Sequence, residues 1–505
     1  MQTLFIYCEI LAKNAAKSIP RQSSASSILT KHHRMSIIPF TIGIIHFIGI
    51  GGIGMSSIAE ILHSLNYHVQ GSDIAQNINT KRLEQLGIRI FIGHSGNNII
   101  KASVVVISSA IKMDNPELIA ARERITPVVH RTDMLKELMR LKRSIVVSGT
   151  HGKTTTTSIV SAVLNSGKID PTIINGGIIN DYGSNAHLGK SEWMVIESDE
   201  SDGSFTKLQA TIAIVTNIDH EHLDFHGSLD NLKQAFEIFV RNISFYGFAV
   251  LCLDNQTVES IIPRVLDRRI ITYGFNTQAD IRAIDVNTIS KGVNFTAIIT
   301  DRMRKKTRSI DNIFFPMYGR HNVQNALASI AVATNLGIDD NQVRNALKKF
   351  TGVQRRFTKI GESGGIKVID DYAHHPAEIA ALLSAIREIT RENQIVAVVQ
   401  PHRYTRLRDL FEDFCCCFRA ADLVIVSEVY AAGETSITGI SRDALVSGLR
   451  AHGQQKVMPL INPIELAGMV VNFCEKGDIV ICLGAGSITE WAHNLPAQID
   501  RIISK

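Results

Sequence analysis

VVSGTHGKTTTT, residues 146–157, is the stretch on which the fold turns. An apolar run at 145–147 stops at a small-residue turn, Gly152-Lys153-Thr154 follows, and a helix-compatible segment continues through Leu164. A strand, a glycine-rich loop and a helix start cradle a nucleotide phosphate. Backbone N–H groups and the positive helix end face the anion, the lysine neutralises it, and the threonine hydroxyl can hold Mg²⁺. Glycine is needed where backbone approaches phosphate closely, because a Cβ would intervene. The strict spacing asks for glycine at position 147, where the chain has Val147, so the motif is a variant and its surroundings must carry the assignment.

Downstream, apolar strands at 193–196 and 212–216 each end in a polar cluster, ESDESD at 197–202 and NIDHEHLD at 217–224. Ligands collect at the carboxyl ends of strands in open α/β sheets, and hard oxygen donors with a histidine beside a phosphate loop suit a Mg²⁺–nucleotide site. Segments 296–308 and 310–315 read as a hairpin. His321, Asn322 and Asn325 then open an alanine-rich helix through Leu336, as flat polar groups for an adenine edge or as a plain helix cap.

Upstream, 42–48 reads as a buried strand leading into Gly49, Gly51, Gly52 and Gly54 in G-x-G-x-x-G spacing, with helical spacing over 55–65. The next strand ends in Gly71-Ser72-Asp73, an acid 19 positions after Gly54, as in a Rossmann-type dinucleotide turn. Another buried strand is expected at 104–109. Towards the carboxyl end, strands at 368–369, 395–399, 423–426 and 478–483 alternate with helices. The first, second and last end in DDYAHHP (370–376), PHRYTR (401–406) and GAGS (484–487). Cations and imidazoles gathered at one sheet edge indicate an anionic ligand.

The 505 residues therefore divide into three α/β domains, 41–143, 144–352 and 353–505. A net charge of +5 implies no polyanion-binding surface, and the basic run 302–308 reads as a solvated hairpin or loop, so no nucleic-acid partner is expected. Seven cysteines, three of them consecutive at 415–417, form neither a disulfide framework nor a zinc pattern; a reducing cytosol is the simplest compartment. No charged side chain lies between Arg34 and Glu60, a length that could span a bilayer, but Pro39 and the glycine cluster argue against a membrane span. Residues 1–34 read as an extension outside the fold, with Met35 as the true translation start rather than a targeting segment.

GIGGIGM, GTHGKTTTT, ESDESD, TNIDHEHLD, YGRHNVQN, RRF, DDYAHHP and PHRYTR occur in this order. The set resembles the Mur ligase family over residues 45–486. The resemblance implies a Rossmann-like UDP-binding domain, a central P-loop-type ATPase domain and a carboxyl-terminal Rossmann-like domain. It implies ATP-dependent ligation of L-alanine to the lactyl carboxylate of UDP-N-acetylmuramate through an acyl phosphate, in peptidoglycan precursor synthesis in the cytoplasm, by a monomer or weak dimer. Carried over residue by residue, the nucleotide sugar falls to Gly49, Gly51, Gly52, Gly54, Ser72 and Asp73. ATP falls to Gly149, Thr150, His151, Gly152, Lys153, Thr154, Thr155, His321, Asn322, Asn325 and Asp371. Mg²⁺ falls to Thr154, Glu197 and His222, and L-alanine to Tyr372, His374, Arg403 and Arg406. Lys153, Arg356 and His374 are the implied catalytic set, with His375 or water as alternative proton acceptors for the amine. Three other readings compete: a sister ligase adding a peptide or a later amino acid, a nicotinamide oxidoreductase suggested by the first glycine turn alone, and an ATP-driven switch.

Overall fold

The computed structural model describes residues 42–504 except 141 and 391, so the expectations for residues 1–34 lie outside the described residues. Three sheets follow one another along the chain. The first comprises β1 (Ile44–Ile48), β2 (Val69–Asp73), β3 (Arg89–Ile92), β4 (Ala102–Ile107) and β5 (Val128–His130), in the order β3-β2-β1-β4-β5. Every pairing is parallel. Strand order reverses between β1 and β4, and the glycine turn leaves β1 at that point, where a crevice opens. The uncharged stretch after Arg34 is thus partly a five-residue strand and the start of helix Ile53–Ser64. Among the described residues no helix is long and apolar enough to cross a membrane.

The second sheet holds β6 (Arg143–Ser148), β7 (Thr172–Ile179), β8 (Ser184–His187), β9 (Trp193–Glu197), β10 (Ile212–Val215), β11 (Phe248–Cys252), β12 (Ile270–Gly274), β13 (Ile281–Ile289), β14 (Gly292–Asp301) and β15 (Lys306–Phe315). Their order is β15-β14-β13-β12-β11-β10-β6-β9-β7-β8. The expected break near residue 309 is absent: β15 runs unbroken from Lys306, so the basic run forms the tip and first residues of the β14–β15 hairpin. β6 lies between β9 and β10, which brings both acidic clusters to the phosphate loop. Helices Lys153–Ser166 and Arg320–Leu336 bury Ile159, Val163, Ala326 and Ile330 in one core. Ala326, Ala328, Ala331 and Ala333 of the second helix alternate there with larger Val, Leu and Ile residues, and these small side chains let helix and sheet approach closely.

The third sheet, β16 (Thr358–Ser363), β17 (Ile366–Asp371), β18 (Ile395–Val399), β19 (Leu423–Val426), β20 (Val457–Pro459) and β21 (Ile479–Leu483), is ordered β16-β17-β21-β18-β19-β20, with only β16 antiparallel. Strands β18, β19 and β21 are apolar throughout because alternate side chains enter two cores. Ala397, Val399 and Ile481 face one, under helix Pro376–Ile389, and Val396, Val398 and Val480 face the other, under helix Ile488–Ile503. Cys415 and Cys417 are buried apolar residues of the first core.

Candidate active site

The phosphate loop is shaped by two glycines and pinned by the loop after β10. Gly149 has φ 133°, and a Cβ there would strike Thr216 and the backbone of Asn217. Gly152 has φ 81° and caps helix Lys153–Ser166 without any side chain covering its first N–H groups, which leaves an anion-binding end. Asn217 accepts from His151 N–H at 2.7 Å through its side chain and from Thr150 N–H at 3.0 Å through its carbonyl. Val147 is still a sheet residue, fully buried and paired with Ile214 and Glu197. The chain turns only after Ser148, so a glycine at 147 has no work to do.

Lys153 Nζ donates to Gly149 O (2.7 Å), Thr150 O (3.1 Å) and Glu200 Oε2 (2.9 Å). Burial pushes the Glu200 carboxyl up to about 7 despite the pull of Lys153, and its Oε1 is buried without a hydrogen bond. Thr154 Oγ1 donates to Glu197 Oε1 at 3.0 Å, and Glu197 Oε2 accepts from Gly176 N–H at 2.6 Å. Of the expected metal set, Thr154 and Glu197 therefore meet directly. His222 lies instead against Glu200 Oε1 (3.7 Å), within a second cluster that includes Asp199, and has φ 57°. A hydroxyl, carboxylates and an unpartnered buried oxygen are the donors a hard divalent cation takes.

Beside the loop, a cavity of about 200 Å³ is lined by His321, Asn322, Asn325, Thr155, Arg356 and Asp371. The helix cap is Gly319, with φ 89° and no side-chain cap, so the capping reading of these polar residues falls. Asn325 accepts from Thr156 Oγ1 at 3.0 Å and donates to Asn322 Oδ1 at 3.3 Å, which fixes the amides. Burial lowers His321 to about 4, so its ring is neutral at pH 7. Asp371 accepts from Ala373 N–H (2.7 Å) and Phe357 N–H (2.6 Å), and burial lifts it to about 6 against the pull of Arg356.

The third sheet contributes the opposite wall. Arg355 and Arg356 both lie over the Tyr372 ring, at 4.8 and 5.3 Å. His374 donates Nδ1–H to Tyr372 O at 2.9 Å, leaving Nε2 as the bare nitrogen, and burial takes it down to about 4. Arg403 has φ 71° while its N–H bonds Tyr430 O at 2.9 Å; a non-glycine residue in that conformation is strained, as functional positions often are. Arg406 pairs with Glu221 at 2.7 Å, and burial, which would raise Glu221, is outweighed by Arg406, which holds it at about 2.

Two carboxylates that the sequence reading passed over join the central and terminal domains. Glu221 takes Arg406, and Glu378 accepts from His151 Nδ1–H at 3.1 Å while lying 4.0 Å from Arg356. Glu221 sits inside a quoted motif; Glu378, in the first turn of helix Pro376–Ile389, looks in sequence like an ordinary dipole-stabilising acid.

The amino-terminal glycine turn is arranged differently. Gly49 has φ 75°, and its N–H and that of Ile50 bond Ser72 O at 2.8 and 2.9 Å. Asp73, one of the residues expected to meet the nucleotide sugar, accepts from Gly51 N–H at 2.8 Å and so braces the turn. Ser72 is fully buried, its hydroxyl donating to Glu117 at 2.5 Å beside His46 and His94. Gly54 reaches the main cleft, where a Cβ would strike the Arg131 guanidinium. That cleft, about 1450 Å³, also takes Lys153, Glu197, His222, His374 and Arg403, so all three sheets line it.

Comparison with known proteins identifies the family over all three domains. Residues 44–143 match the sequence profile described as the Mur ligase family catalytic domain, 147–333 the Mur ligase middle domain, and 355–486 the Mur ligase glutamate ligase domain. The chain is 58% identical over 468 residues to the UDP-N-acetylmuramate–L-alanine ligase of Rhodospirillum centenum, covering 93% of this chain and 97% of that protein. It is 56% identical to the enzyme of the same name from Bradyrhizobium diazoefficiens, covering 92% and 99%. The crystal structure of UDP-N-acetylmuramate-alanine ligase from Thermotoga maritima superposes with a TM-score of 0.75 at 30% identity, covering 91% of this chain and 99% of that one. A murein peptide ligase from Psychrobacter arcticus shares the fold, with a TM-score of 0.66 at 22% identity over 91% and 99%.

Proposed function

The chain belongs to the Mur ligase family, and from that premise we propose that it ligates L-alanine to the lactyl carboxylate of UDP-N-acetylmuramate, with ATP converted to ADP and phosphate. The observation that carries this reading is the single cleft lined by a phosphate loop, an acidic cluster and the His374–Arg403–Arg406 wall. Three substrates need three adjoining walls. A nicotinamide enzyme would leave the phosphate loop and both acidic clusters without a task, and an ATP switch would leave the third wall without one.

A carboxylate is a poor electrophile because expelling oxide is prohibitive. Transfer of the γ-phosphoryl group to it gives an acyl phosphate; the alanine amine then adds to the carbonyl, and the tetrahedral intermediate expels phosphate to leave the amide. In this scheme Lys153 and Arg356 neutralise the transferred phosphoryl group. Asn322 and Asn325 take the adenine side, and Arg403 and Arg406 the amino-acid carboxylate. His374, neutral and with Nε2 bare, suits acceptance of the amine proton. Thr154 and Glu197, with the neighbouring Asp199–Glu200–His222 cluster, would hold a Mg²⁺ ion, which when bound supplies charge neutralisation at the phosphates. Gly49 to Gly54, braced by Asp73 and with Arg131 beside them, suit the UDP diphosphate.

The fold is shared with peptide-adding ligases, so the amino-acid wall decides between them. Purified protein incubated with UDP-N-acetylmuramate, ATP and either L-alanine or a tripeptide tests the reading. Product only with alanine is expected; product only with the tripeptide would replace the proposal by the peptide-recycling one.

A further inference from the structure

His151, Glu221 and His375 each offer one ligand atom, and these atoms lie within 4.8 Å of one another at the seam between the phosphate loop and the third domain. Both imidazoles bring an unsatisfied nitrogen: His151 Nε2 and His375 Nε2 are buried without a hydrogen bond, and His375 as a whole is only 7% exposed. Two buried unsatisfied nitrogens side by side are costly unless something joins them. The ring centroids are 4.8 Å apart at 47°, so the rings converge without stacking.

We infer that His151, Glu221 and His375 form a binding site for a borderline transition-metal ion of the Zn²⁺ type, separate from the hard-cation donors Thr154 and Glu197. Two imidazoles and a carboxylate, with a coordination position left over, are a zinc donor set, whereas Mg²⁺ prefers oxygen and retains water. The surroundings orient the ligands. His151 Nδ1–H donates to Glu378, the outer carboxylate that fixes ring and tautomer at metal-bound histidines, and Arg406 holds the Glu221 carboxylate in place. Asp219 Oδ2 lies 3.5 Å from His151 Nε2, on hand as a further oxygen donor. One local bond is lost: His375 Nδ1 accepts from Ala377 N–H at 3.3 Å, and metal on Nε2 moves the ring proton to Nδ1. That long cap is a small loss against new metal–ligand bonds.

Such an ion ties the phosphate loop and the loop after β10 to the first turn of helix Pro376–Ile389. If the ligase reading holds, on which this consequence alone rests, turnover needs that seam to open for product release, so the ion acts as a brake.

The test is equilibrium dialysis of the full chain against Zn²⁺ in saturating Mg²⁺, with Co²⁺ as a visible probe of four-coordinate nitrogen ligation. Wild type is expected to retain one Zn²⁺. His375→Asn keeps a side-chain acceptor for Ala377 N–H, since asparagine is a good N-cap, yet removes the ligand. Its Zn²⁺ affinity is expected to fall by about tenfold or more with a thermal midpoint equal to wild type when both are metal-free, and Glu221→Gln should weaken binding likewise. Equal retention by His375→Asn and wild type, or loss of binding through His222→Asn alone, would overturn the site. These readouts need no ligase activity, so the metal site and the proposed reaction fail separately.

Discussion

The two glycine turns of this chain look alike in sequence and are built for different loads. At the first, Gly51 N–H is taken by Asp73, Ser72 is buried, and a cation, Arg131, is brought up from another helix. At the second, the helix N-terminus is left open, and the lysine sits in the turn itself among Gly149 O, Thr150 O and Glu200. In the proposed reaction the first turn, already braced by Asp73, faces a diphosphate whose charge does not change. The second holds the Lys153 cation beside Glu200, whose Oε1 has no hydrogen bond, and in the proposed reaction it faces a group whose charge moves. Fixed charge aimed at a changing one is where transition-state stabilisation is largest.

The strongest blow to that contrast is Lys153→Ala. Ligase turnover is expected to fall by about 10²–10³ or more, while circular dichroism and nucleotide-sugar binding persist, because the first turn is untouched. Activity within a few-fold of wild type would show that the second turn does not carry the reaction.

Backbone shape should matter next. Gly149→Ala puts a Cβ against the Thr216 hydroxyl and the Asn217 backbone at φ 133°, and backbone cannot move aside, so a lowered thermal midpoint with loss of ATP binding is expected. At the first turn, Gly54→Ala meets only the mobile end of Arg131. That variant should stay folded and chiefly raise KM for the nucleotide sugar, measured in the same coupled assay.

How far the sequence spoke differs between the turns for a physical reason. Local pattern carries strands and helix starts: residues 395–399 and 423–426 are the bounds of β18 and β19, and GTHGKTTTT reads as strand, turn and helix because each step is a neighbour effect. What it does not carry is which polar atom a side chain satisfies across the fold. Asp73 is placed among the nucleotide-sugar residues by spacing, and its carboxylate also reaches across from the end of β2 to Gly51 N–H in the turn after β1. Glu378 reads as a helix-end acid, yet it spans to His151 in another domain. Glu117, buried against His46 and Ser72, has no motif at all. The β14–β15 boundary was misplaced because Arg308 and Ser309 pair with Ile299 and Ile298 within a hairpin whose charged side chains face water.

A smaller effect sharpens the role given to Asp73. Asp73→Ala frees Gly51 N–H and removes a charge-assisted bond of about 1.5–3 kcal/mol. The turn should loosen without losing its glycines, so KM for UDP-N-acetylmuramate is expected to rise by about tenfold with kcat and KM for ATP little changed. A matching fall in kcat would mean that the first turn also feels the chemical step, and the division of labour between the turns would have to be abandoned.

The mildest test uses acid, which reaches the two regions unequally. His374, at about 4 in the fold, is held neutral by burial and lies next to Glu221, which Arg406 keeps ionised down to about 2. The free imidazole titrates near 6.5. Stability from keeping His374 neutral is therefore complete above about 6.5 and is lost as pH falls towards 4. The Glu221–Arg406 contribution survives until pH falls below the ordinary carboxylate range. Asp371 and Glu200, raised by burial to about 6 and about 7, run the other way and gain on acidification. His321 and His402, lowered by burial, lose alongside His374, so only a difference between variants isolates that histidine. Thermal midpoints of wild type and His374→Gln, measured from pH 7 to 4.5, are expected to converge as pH falls, because the variant has no ring to protonate. Parallel curves would mean that His374 does not change charge in this window, and its assignment as a neutral proton acceptor would lose its footing.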